Sequence, residues 1–183
     1  VQGVGSVGSS LVEQLSDLGA RVVITDIDDA RVDDVVNRMG VKKVPAEDIY
    51  GVACDIFSPC ALGAILNDET IPRLKCKIVC GAANNQLKEE RHGDVLTDKG
   101  ILYGPDYIVN AGGAVYDADR LVGGVNLERG KQKVAKIYQT TEKVIELAQE
   151  KGIPTYRAAD VVAEKRLESI RHIKNYWDTM EIR

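Results

Sequence analysis

Apolar positions along this chain of 183 residues follow two rhythms, which alternate through its first two thirds. Val7, Leu11, Val12, Leu15 and Leu18 recur at intervals of three and four, the spacing of one helix face, and Gly19 stops the run. The segment 21–26 follows, with Val22, Val23, Ile24 and Thr25 continuous, as in a parallel strand buried on both sides. A second helical run is placed from about Asp28, as its N-cap, to Met39 and Gly40. Short strands are predicted at 55–58, 77–80 and 101–103, with helices or loops between them. Residues 107–110 read as one more extended piece before Ala111-Gly112-Gly113. This alternation predicts an α/β fold with a doubly wound, mostly parallel sheet.

Beyond Gly124 the strand rhythm disappears. Val134, Ile137, Tyr138, Thr141, Val144, Ile145 and Ala148 share a face of one long helix, which Gly152 and Pro154 end. Residues 155–171 form the next, carrying Ala158, Val161, Val162, Leu167 and Ile170. The chain therefore divides into a sheet domain over residues 1–126 and a helical C-terminal extension over 127–183. Lys131, Lys133, Lys136 and Lys143 alternate with Glu128, Glu142 and Glu146, the pattern of a solvated helix surface.

A formal charge of −4 leaves no basic field to attract nucleic acid or an anionic membrane. No apolar stretch is long enough to span a bilayer. The four cysteines, Cys54, Cys60, Cys76 and Cys80, lie in or beside apolar runs without a C-x-x-C pair. They read as buried, reduced thiols of a cytoplasmic protein rather than as a zinc site. His92 falls in Glu89-Glu90-Arg91-His92, a solvated-looking helix, and His172 in a basic run near the end. Neither has a metal partner at helical spacing; both read as structural, and no metal is expected.

The candidate chemistry begins at the third residue. Gly3, Gly5 and Gly8 form G-x-G-x-x-G ahead of the first helical run, and Asp26 closes the next strand about twenty residues on. In a dinucleotide-binding βαβ unit the first glycine makes the tight turn, the second admits the pyrophosphate and the third lets helix and strand pack closely. The phosphates meet free N–H groups at the helix N-terminus. Gly3, Val4, Gly5, Ser6, Val7 and Gly8 are thus the candidate pyrophosphate cradle, with Asp26 and Ile27 beside the adenosine ribose. Asp26, with Asp28 and Asp29 near it, would repel a 2′-phosphate, so the cofactor read from these residues is NAD. Val1-Gln2 stands where a Rossmann unit has a full apolar strand, so the first strand reads as truncated and the chain as a fragment.

Three further segments occur in a distinctive order: Asp55-Ile56-Phe57-Ser58-Pro59-Cys60-Ala61-Leu62-Gly63, then Gly81-Ala82-Ala83-Asn84-Asn85-Gln86-Leu87, then Tyr103-Gly104-Pro105-Asp106-Tyr107-Ile108-Val109-Asn110-Ala111-Gly112-Gly113. Together with the glycine motif they resemble the NAD-binding, C-terminal domain of the leucine, phenylalanine and valine branch of the glutamate dehydrogenase superfamily. The leucine-specific members are nearest in pattern. The resemblance runs from the glycine motif to about Arg171.

It implies a Rossmann-type domain that forms one wall of a cleft, and the reversible NAD-dependent oxidative deamination of a branched-chain or aromatic L-amino acid to its 2-oxo acid and ammonia. The catalytic lysines and aspartate of the family belong to its other, N-terminal domain, so no catalytic residue is expected in this chain. Cys60 and Ala61 would lie along the cofactor, with Ala82, Ala83 and Asn84 towards the nicotinamide. Asn85 and Asn110 would meet the substrate, and Ala114 and Asp117 match positions lining its side-chain pocket. A homo-oligomer, often an octamer, is implied as well. Asp117 departs from the apolar pattern. An unpaired carboxylate facing an aliphatic group is costly, which leaves leucine, valine, phenylalanine and tryptophan open as substrates. Two other classes compete, an NAD-sensing module without catalysis and a methyltransferase. The second does not account for Ala82-Ala83-Asn84-Asn85 or Asn110-Ala111-Gly112-Gly113.

Overall fold

Five short parallel strands organise the fold of the described residues: β1 (Val23–Ile24), β2 (Lys42–Lys43), β3 (Ile56–Phe57), β4 (Ile78–Val79) and β5 (Leu102–Tyr103). The computed structural model describes the backbone of residues 1–180 and the side chains of residues 1–171. β1 pairs with β2, while β3, β4 and β5 form a second sheet in that order, with Phe57, Val79 and Tyr103 in register. Gln2 makes parallel bridges to both Thr25 and Pro59, so the N-terminal segment lies between the two sheets. In space the parallel run is β2, β1, the segment at Gln2, β3, β4, β5. The result is a mixed architecture of helices and small parallel sheets.

The helices are α1 (Ser6–Asp17), α2 (Asp29–Met39), α3 (Arg91–Asp98), α4 (Asp106–Val109), α5 (Gly112–Gly123), α6 (Leu127–Val134), α7 (Lys136–Lys151) and α8 (Thr155–Met180). α2 has the ends its sequence predicts: the Asp28 carboxylate accepts the Arg31 N–H at 3.2 Å, and Gly40 closes the helix at φ 65°. Two apolar clusters flank the sheets. Val4, Val12, Val22, Ile24, Val32 and Val35 join α1 and α2 to β1. Phe57, Leu66, Ile71, Leu74, Val79, Leu96 and Tyr103 pack around the other sheet. A third cluster, with Val144, Ala148, Ala158 and Ala159, seals α7 against α8. Thr155 at the start of α8 donates to the Tyr103 carbonyl at 2.5 Å, which ties the helical segment to β5.

Several expectations change. Residues 107–110 are not extended: α4 begins at Asp106, because Pro105 supplies a fixed φ of −55° at its N-cap and Asp106 an acidic first turn. The long helix expected through Val134 is broken at Ala135 into α6 and α7. Val7 and Leu18, read as part of one apolar helix face, are exposed, and so is Tyr138. β2 was absent from the sequence pattern because its residues, Lys42 and Lys43, are charged; it is an exposed edge strand. The His172 side chain lies outside the described residues.

Candidate functional site

The three motif glycines do different work. A Cβ on Gly8 would lie 2.0 Å from the Gly3 carbonyl oxygen, and one on Gly3, whose φ is +94°, would strike Ala61 at 2.7 Å. Chain packing alone therefore requires glycine at both. Gly5 has φ −66°, which any residue adopts, and the nearest atom to its Cβ position is Arg31 Nη1 at 4.0 Å. Neither backbone nor neighbours demand glycine there, and the space in front of Gly5 is open. No side chain caps α1, whose first turn begins at Ser6 in the same place. The Val4 side chain is buried in the core, whereas Ser6 and Val7 are exposed at the mouth of the loop.

Asp26 secures this loop from behind. One carboxylate oxygen accepts the Val4 N–H at 2.7 Å and the other the Asp28 N–H at 3.1 Å. A carboxylate has room for about four hydrogen bonds, so acceptor capacity remains for a diol. Ile27 beside it is exposed. Arg31 pairs with Asp28 at 3.1 Å on the rim. Space at Gly5, an uncapped helix start and a carboxylate with spare acceptors suit the pyrophosphate and ribose of a dinucleotide.

Cys60 and Ala61 follow β3, and residues 82–85 follow β4, on the C-terminal edge where open α/β sheets hold ligands. The two loops touch: the Ala64 N–H donates to the Asn85 carbonyl at 2.7 Å, and a Cβ on Gly63 would lie 2.6 Å from the Asn84 carbonyl oxygen. Among the described residues Ala64 and Asn85 alone carry a side chain at positive φ, 56° and 50°. Asn110, just past α4, donates through Nδ2 to Asn84 Oδ1 at 2.6 Å and approaches the carbonyls of Ala82 and Ala83 at 3.4 and 3.3 Å. The structure therefore gathers Ala82, Ala83, Asn84, Asn85 and Asn110 in one place. Asp106 was missed by sequence reasoning. It is buried and accepts the Asn85 N–H and the Tyr103 hydroxyl, each at 2.7 Å. Burial and this carboxylate push the Tyr103 phenol well above its ordinary pKa.

Ala114 and Asp117 lie three residues apart on α5, and both are exposed. The Asp117 carboxylate is paired with Arg120 at 3.3 Å. The buried acid of this helix is Asp119, which Arg129 Nε contacts at 2.9 Å and Lys133 at 2.6 Å. Hydrogen bonds from Arg129 and then Lys133 hold its carboxyl down at about 2. Lys133, read as a solvated surface charge, thus fastens α6 to α5.

His92 is fully buried rather than on a solvated helix, because α3 turns it inward beneath Asp68. Its Nδ1 accepts the Glu89 N–H at 3.0 Å. Asp68, Glu89 and His92 are close enough to share an ion. Arg91 already bridges both carboxylates, however, and its hydrogen bonds keep the Asp68 carboxyl at about 2. The four cysteines are free and half-buried, and burial pushes all their thiols up. No helix among the described residues is long and apolar enough to cross a membrane.

The Glutamate/Leucine/Phenylalanine/Valine dehydrogenase family model matches residues 24–174. The chain is 53% identical over 175 residues to leucine dehydrogenase of Thermoactinomyces intermedius, covering 96% of this chain and 48% of that protein. It is 45% identical over 182 residues to phenylalanine dehydrogenase of Caldalkalibacillus thermarum, covering 97% of this chain and 49% of that one. The crystal structure of L-tryptophan dehydrogenase from Nostoc punctiforme superposes with a TM-score of 0.90 at 40% identity, over 92% of this chain and 51% of that one. The chain spans about half the length of the relatives it matches. It belongs to the glutamate/leucine/phenylalanine/valine dehydrogenase family.

Proposed function

We propose that residues 1–126 are the NAD-binding, Rossmann-type unit of an amino acid dehydrogenase that reversibly deaminates a branched-chain or aromatic L-amino acid, leucine first among them. Residues 127–183 are its helical extension, and the acid–base groups of the reaction lie in the other half of the enzyme. The observation that carries this reading is the open space at Gly5 beside the partly satisfied Asp26 carboxylate. The spatial run of strands supports it: with the segment at Gln2 as first strand, the order matches the doubly wound 3-2-1-4-5-6 pattern, and the glycine loop follows the strand where that order reverses.

In this reading Gly3 to Gly8 and the start of α1 bind the pyrophosphate, and Asp26 accepts the adenosine ribose hydroxyls and disfavours a 2′-phosphate. Cys60 and Ala61 flank the cofactor, and Ala82, Ala83 and Asn84 border the nicotinamide ring. When bound, NAD supplies a hydride acceptor. Asn85 and Asn110 offer amide donors and acceptors to an amino acid's carboxylate and amino group. Ala114 and Asp117 border its side chain, with Asp117 turned to Arg120 and so partly neutralised. The enzyme works as a homo-oligomer, an octamer by family resemblance.

The test has two arms. Binding of NADH and NADPH to the 183-residue chain checks the cofactor unit, with NADH preferred. Oxidation of leucine, valine, phenylalanine, tryptophan and glutamate by the enzyme restored to full length checks the reaction. Activity on a branched or aromatic substrate supports the dehydrogenase. NADH binding with no oxidation of any of them favours a sensor instead.

A further inference from the structure

We propose that Asp106 is a positioning residue for the nicotinamide side of the cleft, acting through the backbone of Asn85. The inference rests on the reading of residues 82–85 as the loop that borders the nicotinamide.

Asn85 is held in a left-handed conformation, φ 50°, which asparagine tolerates better than most residues but does not favour. Two hydrogen bonds keep it there. Its carbonyl accepts the Ala64 N–H at 2.7 Å, and its N–H donates to Asp106 Oδ2 at the same distance. Asp106 is itself immobilised, buried at 9% exposure, with Oδ1 accepting the Tyr103 hydroxyl at 2.7 Å. Both contacts reach Asp106 as donors, and each of its carboxylate oxygens accepts one. An amide could keep the Asn85 contact by turning its NH₂ to the Tyr103 oxygen, which also accepts, whereas alanine takes away the acceptor of the Asn85 N–H.

The same helical turn grips the loop a second time. Asp106 and Asn110 are four residues apart and therefore on one side of α4. Asn110 Nδ2 holds Asn84 Oδ1 at 2.6 Å and faces the carbonyls of Ala82 and Ala83. From within the core, Gln86 Nε2 donates to the carbonyls of Gly81 and Ala83, both at 2.9 Å. The backbone of the loop is fixed from two sides while the Asn84 and Asn85 side chains stay exposed. Such support sets the loop before any ligand arrives, so binding does not have to order it.

ADP-ribose carries every part of NADH except the nicotinamide, and it separates this role from a general loss of fold. Affinities of the 183-residue chain for both ligands are measured by calorimetry, alongside thermal unfolding. Asp106→Ala is expected to raise the NADH dissociation constant about tenfold, the loss of one buried charge-assisted hydrogen bond to the loop, and that of ADP-ribose by less than about twofold. Asn85→Gly added to Asp106→Ala is expected to recover most of the NADH affinity, because glycine takes positive φ without help. Tyr103→Phe, which frees the carboxylate but keeps it, should show the same split more weakly, and it decides the matter if Asp106→Ala does not fold. Equal weakening of both ligands, no weakening of either, or no recovery with glycine would overturn the proposal. A parent chain that binds neither ligand would overturn the cofactor reading itself, and this inference with it.

Discussion

Gly8 sits so close to Gly3 that a Cβ at position 8 would lie 2.0 Å from the Gly3 carbonyl oxygen. The contact closes the loop onto the start of α1, while Gly5 between them faces open space. One motif therefore mixes two demands. The outer glycines serve the chain's own packing, and the middle one, in the proposed reading, serves a ligand.

Substitution separates these demands. Gly8→Ala forces backbone apart and is expected to cost about 1–3 kcal/mol, as overpacking does. Gly5→Ala should cost less than about 1 kcal/mol, the scale of an N-cap change, yet weaken NADH about tenfold or more. Urea unfolding and NADH titration of both variants check this. Equal loss of stability, or intact NADH binding by Gly5→Ala, would return Gly5 to a purely structural role.

Asp26 offers a second test of the same site. Asp26→Ser removes the charge that would repel a 2′-phosphate and shortens the acceptor proposed to meet the ribose. NADH affinity is expected to fall about tenfold and the gap to NADPH to narrow. An unchanged preference between the two cofactors would remove Asp26 from its assigned role.

The tight turn these residues build was legible in the sequence, because glycines at fixed spacing mark a close approach and an acid at the next strand end lies beside it. Asp106 and Asp119 were not, since each is defined by its partners. The Asn85 N–H lies 21 residues before Asp106, and Arg129 lies 10 residues after Asp119. Spacing along a chain does not show which acids a fold turns inward. Residues 107–110 misled for a different reason: Tyr107, Ile108 and Val109 favour strands, and Pro105-Asp106 starts a helix in spite of them. His92 looked solvated because its sequence neighbours are charged, although α3 points it at the core. Apart from β2 and α4, the helix and strand order was readable from periodicity, but the strands are two residues long where four to six were expected for most.

The cysteines give a chemical test of burial. Because all four thiols are pushed up, little thiolate forms at neutral pH, and thiolate is the reactive species. A disulfide reagent should therefore label the native chain slowly and the denatured chain quickly at all four cysteines. A fast-reacting thiol in the native chain would contradict this arrangement.

Asp119 predicts how stability depends on pH. Its carboxyl is held at about 2 by Arg129 and Lys133, whereas an aspartate in the unfolded chain titrates near about 3.9. The folded value is the lower one, so the unfolded chain takes up the proton first as pH falls. The pair's contribution is complete above roughly pH 5, shrinks as pH drops through about 4 towards 2 and is absent below. Asp119→Asn removes the charge and leaves Arg129 and Lys133 facing a neutral amide, so the variant should unfold at lower urea near neutral pH. The gap between the two proteins should then close between about pH 4 and 2, because the parent loses there what the variant never had. Urea midpoints taken across that range decide the question. A gap that stays constant to the lowest pH would mean that the side chain's packing, not its charge, fastens α5 to α6.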